Sequence, residues 1–202
     1  MQGSRVWRAW IVAAVALLAA GAAKAHPELI FVPANAALPY AVRAYQAIWD
    51  EDGERIVAAL EAQTCMPFSE SSVTAIVDYA ISHSGGPDYP MRLRGSYAPD
   101  VKKSTLVHEL GHRHLWQLAE RLEDVDGHMT LYLVLDRVWA DVWGEEFAAT
   151  RVAYEANWGD DYAAAWAWAQ SLNAEERSQL WNRLLVMNGF PDGCGSLPDV
   201  AE

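Results

Sequence analysis

Hydrophobic residues follow the spacing of strands in the first half of this chain, with one helical segment between them. Residues 28–33, 72–81 and 91–98 are short runs that are rich in β-branched and aromatic residues or that alternate, as strands do. Residues 39–63 carry apolar side chains at helical spacing. The acidic stretch 50–54 is compatible with one helix or with a break into two. The first hundred residues therefore predict a strand, a helical segment and two further strands.

Helical spacing continues through the second half. The predicted helices cover residues 104–122, 128–157, 160–171 and 174–188. Ser104 or Thr105 is the expected N-cap of the first, Gly144 the expected kink in the second, and Asn173 with Glu176 forms a capping signal for the last. Strands followed by helices predict an α+β fold: a small mixed β-sheet with an edge strand, packed against helix 104–122 and a C-terminal helical bundle.

Composition favours one folded domain over residues 26–202. The chain has 202 residues, of which 52% are hydrophobic, and this is enough apolar material for one core. Its formal net charge is −12, so it would repel phosphate groups. We therefore expect no nucleic-acid partner.

The first 25 residues have the pattern of a secretory signal peptide. Arg5 and Arg8 precede an apolar run that starts at Trp10, and small residues flank the expected cleavage point after Ala25. A retained membrane anchor is the alternative, but the run is short of the about 20 residues that a span needs. We expect an exported protein, periplasmic or secreted, with no stable membrane span after cleavage.

Two cysteines, Cys65 and Cys194, remain in the mature chain. Because an exported protein meets an oxidising compartment, we expect a disulfide between them, with two unpaired thiols as the alternative.

The segment VHELGH, residues 107–112, carries the clearest chemical signal. His108 and His112 are four residues apart and share one helix face, where two imidazoles can converge on a zinc ion. Glu109 is turned about 100° around the helix, so its carboxylate can take a proton from a metal-bound water without binding the metal. Gly111 is costly inside a helix and predicts the close crossing of a second helix. The alternative is a surface helix with two solvated histidines.

A catalytic zinc site needs a third protein ligand. The downstream candidates are His114, His128, Asp136, Asp141, Glu145 and Glu146. The pattern H-E-x-x-H-x-x-G-x-x-H is absent, since Leu118 stands six residues after His112. This leaves a carboxylate from the helical stretch 143–155 as the expected ligand.

HELGH followed by a helical glutamate resembles the gluzincin zinc metallopeptidases, the group that includes thermolysin and its compact relatives. The resemblance covers roughly residues 70–157 and implies a Zn²⁺ cofactor, with Glu146 as the third ligand. Thr150 then stands at the position that supports His108, where the family usually has aspartate. Glu145 is the other choice of ligand, but it would place Ala149 at the supporting position.

The same resemblance implies how a peptide would bind. In such folds the strand before the active-site helix is a sheet edge that holds an extended substrate, and residues 91–98 are in that place. An ordinary sheet strand is the alternative there. A further side chain stabilises the oxyanion in this family, and His128, Tyr132 and Tyr154 are the candidates.

The sequence thus predicts an exported zinc-dependent peptidase that acts on peptides or proteins, with Glu109 activating the water. A catalytically inactive metal-binding scaffold on a zincin fold is the alternative. An amidase acting on cell-wall peptides would use the same ligands.

Overall fold

The computed structural model describes residues 26–86, 88–190 and 193–194, so the predicted signal peptide lies outside the described residues. The elements in chain order are β1 (Glu28–Pro33), α1 (Pro39–Thr64), β2 (Ser72–Asp78), β3 (Met91–Arg94), α2 (Pro99–Leu115), α3 (Gly127–Tyr132), α4 (Leu135–Trp143), α5 (Glu145–Glu155), α6 (Asp160–Ser171) and α7 (Ala174–Met187). Within the described ranges, no helix combines the length and the apolar character that crossing a membrane requires.

The sheet has three strands in the order β1-β2-β3, and both pairs are parallel. Parallel neighbours need a crossover connection, which α1 provides between β1 and β2. The predicted α+β class is confirmed, although the sheet is parallel where a mixed one was expected. One isolated antiparallel bridge, between His83 and Arg92, lies on the outer side of β3.

Helix α1 runs unbroken through the acidic stretch 50–54, so the predicted helical segment is one helix and not two. Asp52 in this stretch is buried and faces the neighbouring helices. Its carboxylate accepts hydrogen bonds from Arg55 at 2.8 Å and from the indole of Trp143 in α4 at 2.9 Å. The acidic residue is therefore satisfied by tertiary contacts, and the helix has no need to open to hydrate it.

Helix α2, which carries the HELGH motif, begins and ends earlier than predicted. Pro99 occupies its first turn, where the missing N–H costs nothing, and Ala98 is the N-cap. Ser104 and Thr105, the expected N-caps, are buried inside the helix. Pro99 was thus the true start signal.

The predicted helix 128–157 is three helices. Gly144 has a φ of +91°, a value that favours glycine, and it separates α4 from α5. The first of the three, α3, is capped by Asp126, whose side chain accepts a hydrogen bond from the Met129 N–H at 2.7 Å. The capping box of Asn173 and Glu176 at α7 is confirmed.

The predicted disulfide between Cys65 and Cys194 is present, with Cα atoms 5.2 Å apart. It joins the end of α1 to the segment after α7. A disulfide is compatible with the oxidising compartment that export implies.

Gly111 is the point where α3 packs onto α2. A Cβ at this glycine would lie 2.6 Å from Cδ1 of Leu131, a fully buried residue of α3. The close helix crossing that Gly111 predicted is therefore confirmed. Since α3 also carries His128, this contact fixes how near that side chain comes to the histidines of α2.

Substituting Gly111→Val should push Leu131 out of its place and lower stability by about 1–3 kcal/mol, the usual cost of overpacking a core. Urea unfolding followed by circular dichroism measures this loss. Gly127→Val is the matched control, because a Cβ at Gly127 meets nothing within 4 Å. Equal stability of the two variants would contradict the packing role of Gly111.

Candidate metal centre

Three histidines from two helices converge at the contact between α2 and α3. His108 and His112 lie one turn apart on α2, and His128 lies in the first turn of α3. One donor nitrogen from each ring can be chosen so that all three lie within 4.8 Å of one another. The ring centroids are 4.9 Å apart for His108 and His112, 4.9 Å for His112 and His128, and 5.5 Å for His108 and His128. Such a group could hold a metal ion.

The protein environment keeps these imidazoles neutral, which is the form that binds metals. Burial lowers the pKa of His108 to about 3, and only 2% of this residue is exposed. Burial also lowers the pKa of His112 and His128, and the neighbouring His108 lowers both further. Asp126 opposes this effect at both rings without reversing it. The cluster therefore offers nitrogen lone pairs near neutral pH.

Glu155, the last residue of α5, supports His108 from behind. Its two carboxylate oxygens each lie 3.1 Å from His108 Nδ1, and Tyr132 donates a hydrogen bond to one of them at 3.3 Å. Glu155 is completely buried, and burial raises its pKa to about 8. When Nδ1–H donates to Glu155, the lone pair of Nε2 is left for a metal, as in carboxylate–histidine–metal arrangements.

The sequence places Glu155 on the inner face of α5. Ala148, Val152 and Glu155 recur at helical spacing and are all buried. A glutamate on the apolar stripe of a helix was the signal that sequence reasoning missed. The motif instead favoured Glu146, which lies at the opposite end of the same helix.

Glu109 is buried beside the cluster, with 5% of the residue exposed. Burial raises its pKa to about 8, and the charge of Glu155 adds to this effect. Burial, and to a smaller extent the charge of Glu109, raises the pKa of Tyr162, whose ring centroid lies 4.6 Å from that of His128. Tyr162 therefore packs against the histidine group at His128.

Aromatic side chains form a wall on one side of the cluster. The ring of Trp158 lies 5.9 Å from that of His108 and 5.4 Å from that of Tyr162. Tyr154 contacts Trp158 edge to face, with centroids 6.0 Å apart, and is 39% exposed. The wall thus runs from the cluster to the protein surface.

Glu146 does not reach the histidines, although the sequence favoured it as the third ligand. The described group that could hold a metal contains His128 and no carboxylate. Glu145 and Glu146 are exposed in the first turn of α5, and Glu146 lies nine residues before Glu155, roughly 14 Å along the helix axis. Thr150, the expected support of His108, is also exposed, and its hydroxyl donates to the Glu146 carbonyl at 2.8 Å.

The other ligand candidates are engaged elsewhere. His114 is buried, with Nε2 lying 2.7 Å from the Thr64 hydroxyl of α1. Asp136 accepts two hydrogen bonds from Arg177, both at 2.9 Å, and Asp141 accepts one from α1 at 2.8 Å. These side chains connect helices to one another.

The oxyanion candidates lie in three different settings. His128 belongs to the metal-binding group. Tyr132 is fully buried, stacked on Trp166 at 3.8 Å and bound to Glu155, so it lies behind the cluster. Tyr154 stands at the exposed end of the aromatic wall.

The outer edge of β3, the expected peptide-binding edge, is already paired. The N–H and carbonyl of Arg92 bond to the backbone of His83 at 2.8 and 3.1 Å. The Arg94 N–H donates to the Ser82 hydroxyl at 2.9 Å, and the Arg94 carbonyl accepts from the Tyr45 hydroxyl at 3.0 Å. A peptide could pair with β3 only after Ser82 and His83 had left this edge.

Comparisons with protein-family models, with curated proteins and with solved structures find no significant match to this chain. The resemblance to gluzincins therefore rests on the HELGH segment alone, since Glu146 does not join the histidine group.

Removing His128 should abolish tight metal binding, whereas removing Glu146 should not. We expect His128→Ala to lose bound metal after dialysis, and Glu146→Ala to keep the wild-type stoichiometry, because only His128 joins the cluster. Elemental analysis of the purified variants measures the outcome. Metal loss in Glu146→Ala with retention in His128→Ala would contradict the assignment.

Replacing Glu155 by glutamine should weaken metal binding about 10- to 100-fold, the usual effect of losing a carboxylate behind a ligating histidine. Competition with a chelating dye measures the affinity. Glu145→Gln is the control, since that glutamate is exposed on the same helix. An unchanged affinity in Glu155→Gln would show that His108 needs no support from Glu155.

Proposed function

We propose that this protein is an exported zinc-dependent peptidase that holds its metal with His108, His112 and His128. The observation that carries the proposal is the convergence of the three donor nitrogens within 4.8 Å, with the buried Glu109 directly after His108 in α2. Three neutral imidazoles suit zinc and leave a coordination position open, as catalytic zinc sites require.

Zinc bound there would lower the pKa of a water molecule and polarise the carbonyl group of the scissile bond. The chain's own contribution begins with Glu109. Its carboxylate follows directly on His108 along α2 and is shielded from bulk solvent. In the proposed reaction Glu109 takes a proton from the attacking water and delivers it to the leaving amine.

Glu155 and Tyr132 act through His108 in this proposal. They hold the ring so that Nε2 faces the cluster, and they do not contact the substrate. Tyr162 is the residue we assign to the developing oxyanion, because its ring adjoins His128 and its pKa is raised, which keeps the hydroxyl protonated and able to donate.

Export is supported by the signal-peptide pattern of residues 1–25 together with the disulfide between Cys65 and Cys194. Peptides are the proposed substrates because the HELGH arrangement resembles that of peptidases.

A catalytically inactive metal-binding scaffold is the second candidate. The burial of His108 and Glu109 favours it, as does the occupied outer edge of β3, since both restrict the approach of a polypeptide. Turnover separates the two candidates: a scaffold would bind metal and cleave nothing.

Glu109→Gln should keep the metal and lose activity by about 10²- to 10⁴-fold, the usual contribution of a general acid–base. Cleavage of a fluorogenic peptide library by the zinc-loaded mature protein measures activity, and elemental analysis confirms the metal. Glu145→Gln should remain active, because it is exposed at the far end of α5. Full activity in Glu109→Gln would rule out the proposed proton transfer, and no cleavage by the wild type would favour the scaffold.

A further inference from the structure

A cavity of about 120 Å³ opens beside the metal-binding group. It lies between the end of α2, the segment that follows it and the start of α3, and it shares His112 with the group. Its lining residues are His112, Leu115, Trp116, Arg121, Gly127 and Thr130. We call this cavity the Arg121 pocket.

The Arg121 pocket has the size of one small side chain. Its volume is well below the roughly 300–1,000 Å³ of pockets that take drug-sized ligands. Gly127 contributes to the free space, because a Cβ built on this residue meets no atom within 4 Å. Leu115 and Trp116 give it apolar walls.

Arg121 supplies a positive charge that no carboxylate of the described chain neutralises. Its Nη1 donates to the backbone carbonyls of Leu118 and Glu120, and the described ion pairs do not include it. Arg121 and His112 line the same cavity, so a carboxylate bound by Arg121 would lie beside the metal-binding group.

We infer that the Arg121 pocket binds a carboxylate of the substrate next to the bond that is cleaved. This inference rests on the proposed function and adds a substrate class to it: peptides with an acidic side chain, or a free C-terminal carboxylate, adjacent to the scissile bond. Both sources offer the same group to Arg121.

The chemistry of the lining selects for this group. A guanidinium and a carboxylate form paired charge-assisted hydrogen bonds, which the flat fork of arginine favours. Lysine or arginine in the substrate would meet a like charge at Arg121. Because Arg121 is exposed, discrimination against a neutral isostere of the carboxylate should be about two- to fivefold.

Binding of short peptides, followed by heteronuclear NMR, tests the inference without requiring turnover. N-acetyl-Ala-Asp-amide carries only a side-chain carboxylate, N-acetyl-Ala-Ala only a terminal one, and N-acetyl-Ala-Asn-amide and N-acetyl-Ala-Ala-amide carry none. We expect one of the acidic peptides to bind about two- to fivefold more tightly than its neutral counterpart and to shift the signals of Trp116 and Gly127. The peptide that does so identifies the source of the carboxylate.

Two variants and a control locate the binding. Arg121→Gln should remove the preference for the carboxylate, and Gly127→Leu should block the pocket, both without loss of folding. Arg183→Gln should keep the preference, because Arg183 lies on α7 and does not line the Arg121 pocket. No preference in the wild type, or a preference that survives Arg121→Gln and Gly127→Leu, overturns the inference.

The titrations are run with and without zinc, so that a failure of the proposed peptidase can be distinguished from a failure of the proposed carboxylate pocket. A protein that takes up no zinc contradicts the proposed peptidase, while carboxylate binding in the Arg121 pocket is still measured. A protein that binds zinc and cleaves peptides without any carboxylate preference contradicts only the pocket.

Discussion

Helix α3 lies against α2 at Gly111, and the geometry of the candidate metal centre depends on this contact. Leu131 fills the space that a side chain at Gly111 would need. The same six-residue helix carries His128, so a wider separation of the two helices would move this ring away from His108 and His112. A glycine inside a helix costs roughly 1 kcal/mol relative to alanine, and the close packing offsets that cost.

The second constraint is electrostatic. Glu109 and Glu155 are both buried, and each has its pKa raised to about 8, mainly by burial. Carboxylates in such a setting are costly unless they are hydrogen-bonded or paired with a cation. Glu155 is bound by Tyr132 and His108, whereas a divalent cation at the histidines would favour the charged form of both carboxylates. This balance supports the proposal that the cluster is a metal site.

Access to the centre is shaped by three neighbouring features. The outer edge of β3 is occupied by Ser82 and His83, and Arg113 of α2 holds the segment that follows by donating to the carbonyls of Ser84 at 2.9 Å and Tyr89 at 3.0 Å. The aromatic wall and the Arg121 pocket lie on other sides of the candidate metal centre. In the proposed peptidase, a substrate would therefore reach the metal-binding group along the wall and the pocket, because the outer edge of β3 is already paired.

The sequence alone determined the parts that depend on local spacing. His108 and His112 share a helix face because they are four residues apart, Gly111 required a close neighbour, and Asn173 with Glu176 capped α7. Tertiary structure decided which distant side chains meet them. His128 and Glu155 reach the cluster through the packing of α3 and α5, and no spacing in the sequence encodes the distance between helices. The first turn of α5, with Glu146, lies exposed because the inner face of that helix is set by Ala148 and Val152.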